Sequence, residues 1–263
     1  MKPHKHSLTY REIMMLSEEE RYAHNVYHRW NNTANRRKLH RLYGRVAEQE
    51  DAEILRAISG RRILDVGAGY GFFARRLIDH GFEVTAIDPN EELIQLAKDW
   101  YGVEVLRLDV HELPFATGRF ETAIFREAVE HLDCEQAFRE IERLAIKEIL
   151  IFQTHLNPFV RMSRRLSGHE ELRPEGLRYY QDLLGKFGFT EQRVTFRDVV
   201  ALPLSGGTLT PQLVPRSPLV ENMVLAVDGW LNRLVHVTRT ERFFCWRFLL
   251  RAQKPALGVA GSQ

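Results

Sequence analysis

The sequence predicts an α/β fold, a doubly wound parallel sheet of seven strands with helices on both faces. Three observations predict it. Apolar strand-like runs alternate with helical patterns from residue 62 onward. The run Ile63-Leu64-Asp65-Val66 passes directly into Gly67-Ala68-Gly69-Tyr70-Gly71, and a second run, Val84-Thr85-Ala86-Ile87, ends in Asp88. At 263 residues and 44% hydrophobic composition, the chain is long enough for one such domain with additions.

The elements follow in chain order. Ser17 and Glu20 form a capping-box pattern, and Tyr22, Val26 and Trp30 recur at helical spacing, so a first helix is expected from Ser17. Asn31-Asn32-Thr33 breaks it. A second helical segment carries Leu39, Leu42 and Val46, and a third carries Ile54, Leu55 and Ile58 before Gly60. Residues 1–60 therefore read as an N-terminal helical cap. Strands are expected at 63–66, 84–87, 103–108, 120–125 and 149–152, with a helix at 91–100 between the second and third. A helix at 176–187 precedes a sixth strand at 193–196, and 243–250 reads as the seventh. The insertion 199–241 opens with Pro203, Gly206, Gly207, Pro211, Pro215 and Pro218 and holds an amphipathic helix at 219–235. It reads as a lid or as a packing appendage. The α/β domain then spans 61–253, and residues 254–263 form a small, polar tail.

The formal charge of +2 hides an uneven distribution. No acid occurs between Glu20 and Glu48, where Arg21, Arg29, Arg36, Arg37, Lys38, Arg41 and Arg45 fall. Tyr22, Tyr27, Trp30 and Tyr43 are interleaved with them, so this stretch is either a solvated face or a contact for phosphates and bases. Nucleic acid, a phosphorylated or lipid-linked glycan, and a nucleotide-sugar all suit those charges. Cys134 and Cys245 stand far apart without metal-type spacing, which fits a reducing cytoplasm and neither a disulfide framework nor a cysteine zinc site. No apolar run approaches a membrane span, and no residue fixes the oligomeric state.

The glycine turn has a physical job. Side chains at Gly67 and Gly69 would keep a ligand off the backbone, and the following helix N-terminus favours an anion. Asp88 lies where a nucleotide-binding α/β unit places a carboxylate for ribose hydroxyls, although it also suits a helix cap, just as Asp109 suits a solvated turn. A nicotinamide dinucleotide site is the competing reading, but it wants a third glycine where Phe72 stands.

With these elements placed, the chain resembles the class I S-adenosylmethionine-dependent methyltransferases across roughly residues 62–251. The resemblance rests on Leu64-Asp65-Val66-Gly67-Ala68-Gly69-Tyr70-Gly71, on Ala86-Ile87-Asp88, on Leu108-Asp109-Val110-His111-Glu112-Leu113-Pro114-Phe115, and on Phe120-Glu121-Thr122-Ala123-Ile124-Phe125. It implies a Rossmann-like sheet and S-adenosyl-L-methionine as cofactor. Gly67 and Gly69 would admit the methionine part, Asp65 would hold its ammonium, and Asp88 would accept from both ribose hydroxyls. Asp109 and the Val110 N–H would read adenine, and Ala68, Gly71, Pro89 and Arg126 complete the implied cofactor set. The chain departs from the family at Leu144-Ala145-Ile146-Lys147-Glu148, where a Pro-Gly-Gly turn is common.

The segment Arg126-Glu127-Ala128-Val129-Glu130-His131-Leu132 resembles the Glu-x-x-Glu-His motif of ubiquinone-pathway O-methyltransferases and small-RNA 2′-O-methyltransferases. On a helix, Glu127, Glu130 and His131 would share one face. They are the catalytic candidates, with His131 as base or positioning group. A divalent metal is the alternative the motif implies, completed by His169 or His155; otherwise the residues simply shape the pocket. The expected function is methyl transfer to a small-molecule or glycan hydroxyl. RNA 2′-O-methylation, or cofactor binding without catalysis, are the other readings.

Overall fold

The computed structural model describes residues 41–166, 176–205, 213–215 and 217–255. The expected helix from Ser17, most of the basic stretch, His169, Gly206, Gly207 and Pro211, and residues 256–263 lie outside the described residues. Those described form two compact units that alternate along the chain. One, the sheet unit, comprises residues 57–154, 176–195 and 248–255; the other, the helical unit, comprises 41–56, 155–166 and 196–247.

Seven strands form one sheet in the order β3-β2-β1-β4-β5-β7-β6. They are β1 (Arg62–Val66), β2 (Glu83–Asp88), β3 (Val105–Arg107), β4 (Thr122–Arg126), β5 (Glu148–Thr154), β6 (Glu191–Arg197) and β7 (Arg247–Gln253). The pairings among the first five are parallel, with Ile63 facing Val84 on one side and Thr122 on the other. Continuous burial of Ile63, Leu64 and Val66 and of Ile149 through Phe152 marks strands covered on both faces. The strand order reverses between β1 and β4, so the chain leaves these two strands in opposite directions across the sheet. That divergence opens a crevice at their C-terminal ends.

The last strand corrects the expectation of a wholly parallel sheet. The His155 N–H donates to the Trp246 carbonyl at 2.8 Å, and the Lys254 N–H donates to the Lys147 carbonyl at 2.9 Å. The end of β5 thus meets the start of β7 and the reverse, which makes β7 antiparallel and the sheet mixed. The strand also starts later than 243–250 predicts, because Glu241–Phe244 is a short helix, α9, with Phe243 and Phe244 turned out to solvent. An apolar run alone does not distinguish the two.

In the sheet unit, α2 (Phe72–Asp79) and α3 (Glu91–Tyr101) cover the β1–β3 side. Ala74, Ala86, Ala97, Val103 and Val105 form a close layer of small side chains there. The Asn90 side chain caps α3 by accepting from the Glu92 and Leu93 N–H groups, and Asp133 caps α4 (Cys134–Arg143) in the same way. In the helical unit, α1 (Arg41–Ala57) is one continuous helix where two segments were expected. Leu42, Val46 and Ile54 are buried together with Glu50 and Asp51. Of the acids between the two apolar groups, Glu50 and Asp51 face inward while Glu48 is exposed. The unit also contains α5 (Pro158–Leu166), α7 (Ala201–Leu204) and α8 (Pro218–Val237), while α6 (Leu177–Lys186) belongs to the sheet unit.

Candidate active site

Every residue of the implied cofactor site lies in the sheet unit, at the C-terminal ends of β1, β2 and β4 and in the loop after β3. The glycine turn leaves β1 with Gly67 at φ 73° and Gly69 at φ 55°, a left-handed backbone that strains any other residue. The two glycines are needed for different reasons. A Cβ on Gly67 would stand 2.8 Å from the Ala128 Cβ, whereas one on Gly69 would meet nothing within 4 Å. Gly67 thus lets the β1 and β4 turns touch, and Gly69 holds an open face. Gly71 precedes α2 and packs against Ala97. The Gly67 and Ala68 N–H groups both donate to the Ile87 carbonyl, which ties the turn to β2. Tyr70 stacks on Trp100 at 5.4 Å between ring centres and so pins the turn to α3.

Asp65 is buried in β1 and Asp88 is buried at the end of β2. Asp88 accepts from the Gly69 N–H at 2.9 Å through Oδ2 and from the Asn90 N–H at 2.8 Å through Oδ1. Asn90, two residues on, performs the helix capping, which leaves Asp88 free of that task. Each carboxylate oxygen keeps capacity for a further donor. Burial raises the Asp88 pKa above the usual aspartate value, opposed by the bonds from Asn90 and Gly69. Pro89 joins Asp88 to the Asn90 cap.

Asp109 is exposed and Val110 is buried in the loop after β3. Its Oδ1 accepts from the His111 N–H at 3.0 Å and pairs with the His111 Nδ1 at 2.5 Å. The other ring nitrogen, Nε2, accepts from the Asp133 N–H at 3.1 Å. Because Nε2 accepts, the neutral ring carries its proton on Nδ1 and presents it to Asp109. His111 thereby holds the Asp109 carboxylate against the start of α4. Sequence reasoning quoted His111 without giving it a task; its place two residues after an aspartate in a turn was the available signal.

The catalytic candidates do not share a helix. Glu127 takes a left-handed φ of 55°, and its N–H donates to the Phe152 carbonyl at 2.8 Å, which continues the β4–β5 pairing instead of starting a helix. Only Val129–His131 forms a helical turn, of the 3₁₀ kind, so the i, i+3, i+4 face does not exist. Glu127 instead accepts from the Thr154 hydroxyl at 3.3 Å. The His131 Nε2 lies 3.4 Å from the Glu130 Oε1. Arg126 lies over the Phe73 and Phe152 rings, at 5.7 and 5.9 Å from their centres. Among the described residues no group of three or more His, Cys, Asp and Glu is placed to hold a metal. His155, in the helical unit, has its Nε2 2.9 Å from the Arg242 carbonyl, so that nitrogen is a donor within its own unit.

The glycine turn and the Asp88 clasp lie within residues 64–151, which match the family model described as a methyltransferase domain. Residues 64–151 are thus similar to a methyltransferase domain. The chain is 30% identical over 128 residues to the O-methyltransferase rstn1 of Aspergillus nomiae, a match covering 43% of this chain and 57% of that one. It is 29% identical over 108 residues to a ubiquinone biosynthesis O-methyltransferase of Coxiella burnetii, covering 39% and 45%. The chain thus spans about half the length of the curated relatives it matches. In structure it resembles an S-adenosylmethionine-dependent methyltransferase from Archaeoglobus fulgidus, with a TM-score of 0.54 at 18% identity over 79% of this chain and 94% of that one. At that identity the likeness speaks for the fold.

Proposed function

We propose that the chain transfers a methyl group from S-adenosyl-L-methionine to a hydroxyl of a small molecule or glycan. The observation that supports this reading most is the clasp of Asp88 on the glycine turn. It fixes a carboxylate with spare acceptor capacity beside the open face of Gly69. The donor set fits the cofactor: Gly67, Ala68 and Gly69 offer close backbone approach, Asp65 suits an ammonium, and Asp88 suits a pair of vicinal hydroxyls. Asp109 and the Val110 N–H suit the adenine edge, with Gly71, Pro89 and Arg126 framing these groups.

When bound, the cofactor supplies an electrophilic methyl group. The protein's own tasks are to align the acceptor and to receive its proton. His131 is assigned the proton, and its Nε2 lies beside Glu130. Glu127, held by Thr154 in a strained turn, orients the acceptor hydroxyl. Both curated relatives above are named for O-methylation, which favours oxygen as the methylated atom.

The test is release of S-adenosylhomocysteine on incubation with S-adenosylmethionine and a panel of phenols, quinols and glycans. His131→Ala is expected to lower kcat by about 10²-fold or more while leaving the Kd for S-adenosylhomocysteine unchanged. Full turnover in that variant removes the base role. An unmethylated panel together with methylation of RNA replaces the small-molecule reading by 2′-O-methylation.

A further inference from the structure

Helix α8 is amphipathic in the wrong sense for an ordinary surface helix. Leu219, Met223, Val227, Trp230, Leu234 and Val237 are all exposed, and Trp230 is 58% accessible. At roughly 100° per residue these six fall within an arc of about 80°. The opposite face carries Glu221, Asp228 and Val235, all buried. Its polar groups are matched inside the helical unit. Asp228 accepts from the Val200 and Ala201 N–H groups at 2.7 and 2.8 Å and from the Asn232 amide at 2.6 Å. Glu221 lies 3.8 Å from the Arg45 guanidinium. Val224 and Leu225 pack on Tyr43, Val46 and Leu202. The helix is therefore anchored by a polar face and leaves an apolar stripe outside, the reverse of the usual arrangement.

The stripe is not isolated. Phe243 and Phe244 of α9 and Phe159 and Met162 of α5 are also exposed, and Phe159 stacks on Phe244 at 6.0 Å. The exposed charges on these helices and the turns beside them are cationic: Arg161, Arg233, Arg239 and Arg242. The carboxylates among described residues 213–244 are Glu221 and Asp228, which are buried, and Glu241, which is partly covered.

We propose that this face of the helical unit docks on an anionic phospholipid bilayer. α8 lies in the interface, its apolar stripe enters the headgroup boundary, and the arginines meet lipid phosphates. Charge selects this occupant. A second copy would set Arg233 and its neighbours against the same cations, without the opposite charges that flank paired helices. Residues 21–47 of this chain are free of acids, so that stretch would repeat the mismatch. The proposal concerns a helix lying on the membrane; no described helix is long and apolar enough to cross one. It stands independently of the methyl-transfer reading.

The test is flotation of the full chain with vesicles of phosphatidylcholine containing 30% phosphatidylglycerol, alongside vesicles of phosphatidylcholine alone. Binding is expected to the anionic vesicles, with a blue shift of tryptophan emission, and to weaken as salt is raised. The triple variant Met223→Ser, Val227→Ser, Trp230→Ser is expected to lose at least tenfold in vesicle affinity with an unchanged melting temperature, since all three side chains are exposed. Arg233→Glu with Arg239→Glu, also at exposed positions, is expected to lose binding to anionic vesicles in the same way. Absence of vesicle binding, or binding that survives both sets of substitutions, overturns the proposal. So does a dimer that the triple variant dissociates in a chain that does not float.

Discussion

Gly67 and Gly69 share a left-handed backbone but differ in what surrounds them, and that difference separates folding from binding. Gly67→Ala adds a Cβ 2.8 Å from Ala128 to a φ strain of about 1–2 kcal/mol, so it is expected to lower the melting temperature by several degrees. Gly69→Ala meets no protein atom and bears the strain alone. It is expected to fold, with S-adenosylhomocysteine binding weakened roughly tenfold by a methyl group on the open face. Thermal melting and calorimetry on the two variants check this; equal binding loss with equal destabilisation in both contradicts it. Both glycines were legible in the sequence because a strand, a glycine pair and an acid occurred in order. His111 was not, because its task depends on a contact with the Asp133 N–H, which is distant in sequence.

At the scale of elements, β5 starts on a buried acid. Glu148 accepts from the Ser59 N–H and hydroxyl at 3.0 and 2.8 Å, the Thr122 hydroxyl at 2.7 Å, Arg251 at 2.7 Å and Gln253 at 3.0 Å. It joins the segment before β1 to β4, β5 and β7. Burial alone would raise its pKa, but the bonds from Ser59, Thr122 and Arg251 hold it below the usual glutamate value. A carboxyl with a depressed folded pKa adds stability above its unfolded pKa. That stability is lost as pH falls through the folded value. Glu148→Ala is thus expected to cost about 3 kcal/mol at neutral pH, and the gap from the parent to narrow below the ordinary glutamate range. Melting curves from pH 7 to pH 3 measure it; a constant gap contradicts the assignment. The sequence placed this strand from its apolar run at 149–152 but gave Glu148 no task, since its partners lie on three other segments. For the same reason Glu127 was read into a helix: its bonds to Phe152 and Thr154 come from β5, and local spacing carries no trace of them.

At the scale of the molecule, the alternation of strands and helices made the parallel pairing of the first five strands legible, while their order came only from the structure. The reversal at β7 was not legible, since an apolar strand does not encode its direction. The same limit hid α8's orientation: periodicity identified an amphipathic helix at 219–235, and only the structure shows its polar face inside. What the fold achieves is a crevice between β1 and β4 with Asp88 clasped to the glycine turn at its side. The most direct measurement is calorimetric titration of S-adenosylhomocysteine into the full chain and into Asp88→Ala, with melting curves to confirm that both are folded. One site per chain is expected in the parent and at least a roughly tenfold loss in the variant, the effect of removing a charge-assisted acceptor. No binding by the folded parent, or equal affinity in the variant, contradicts it.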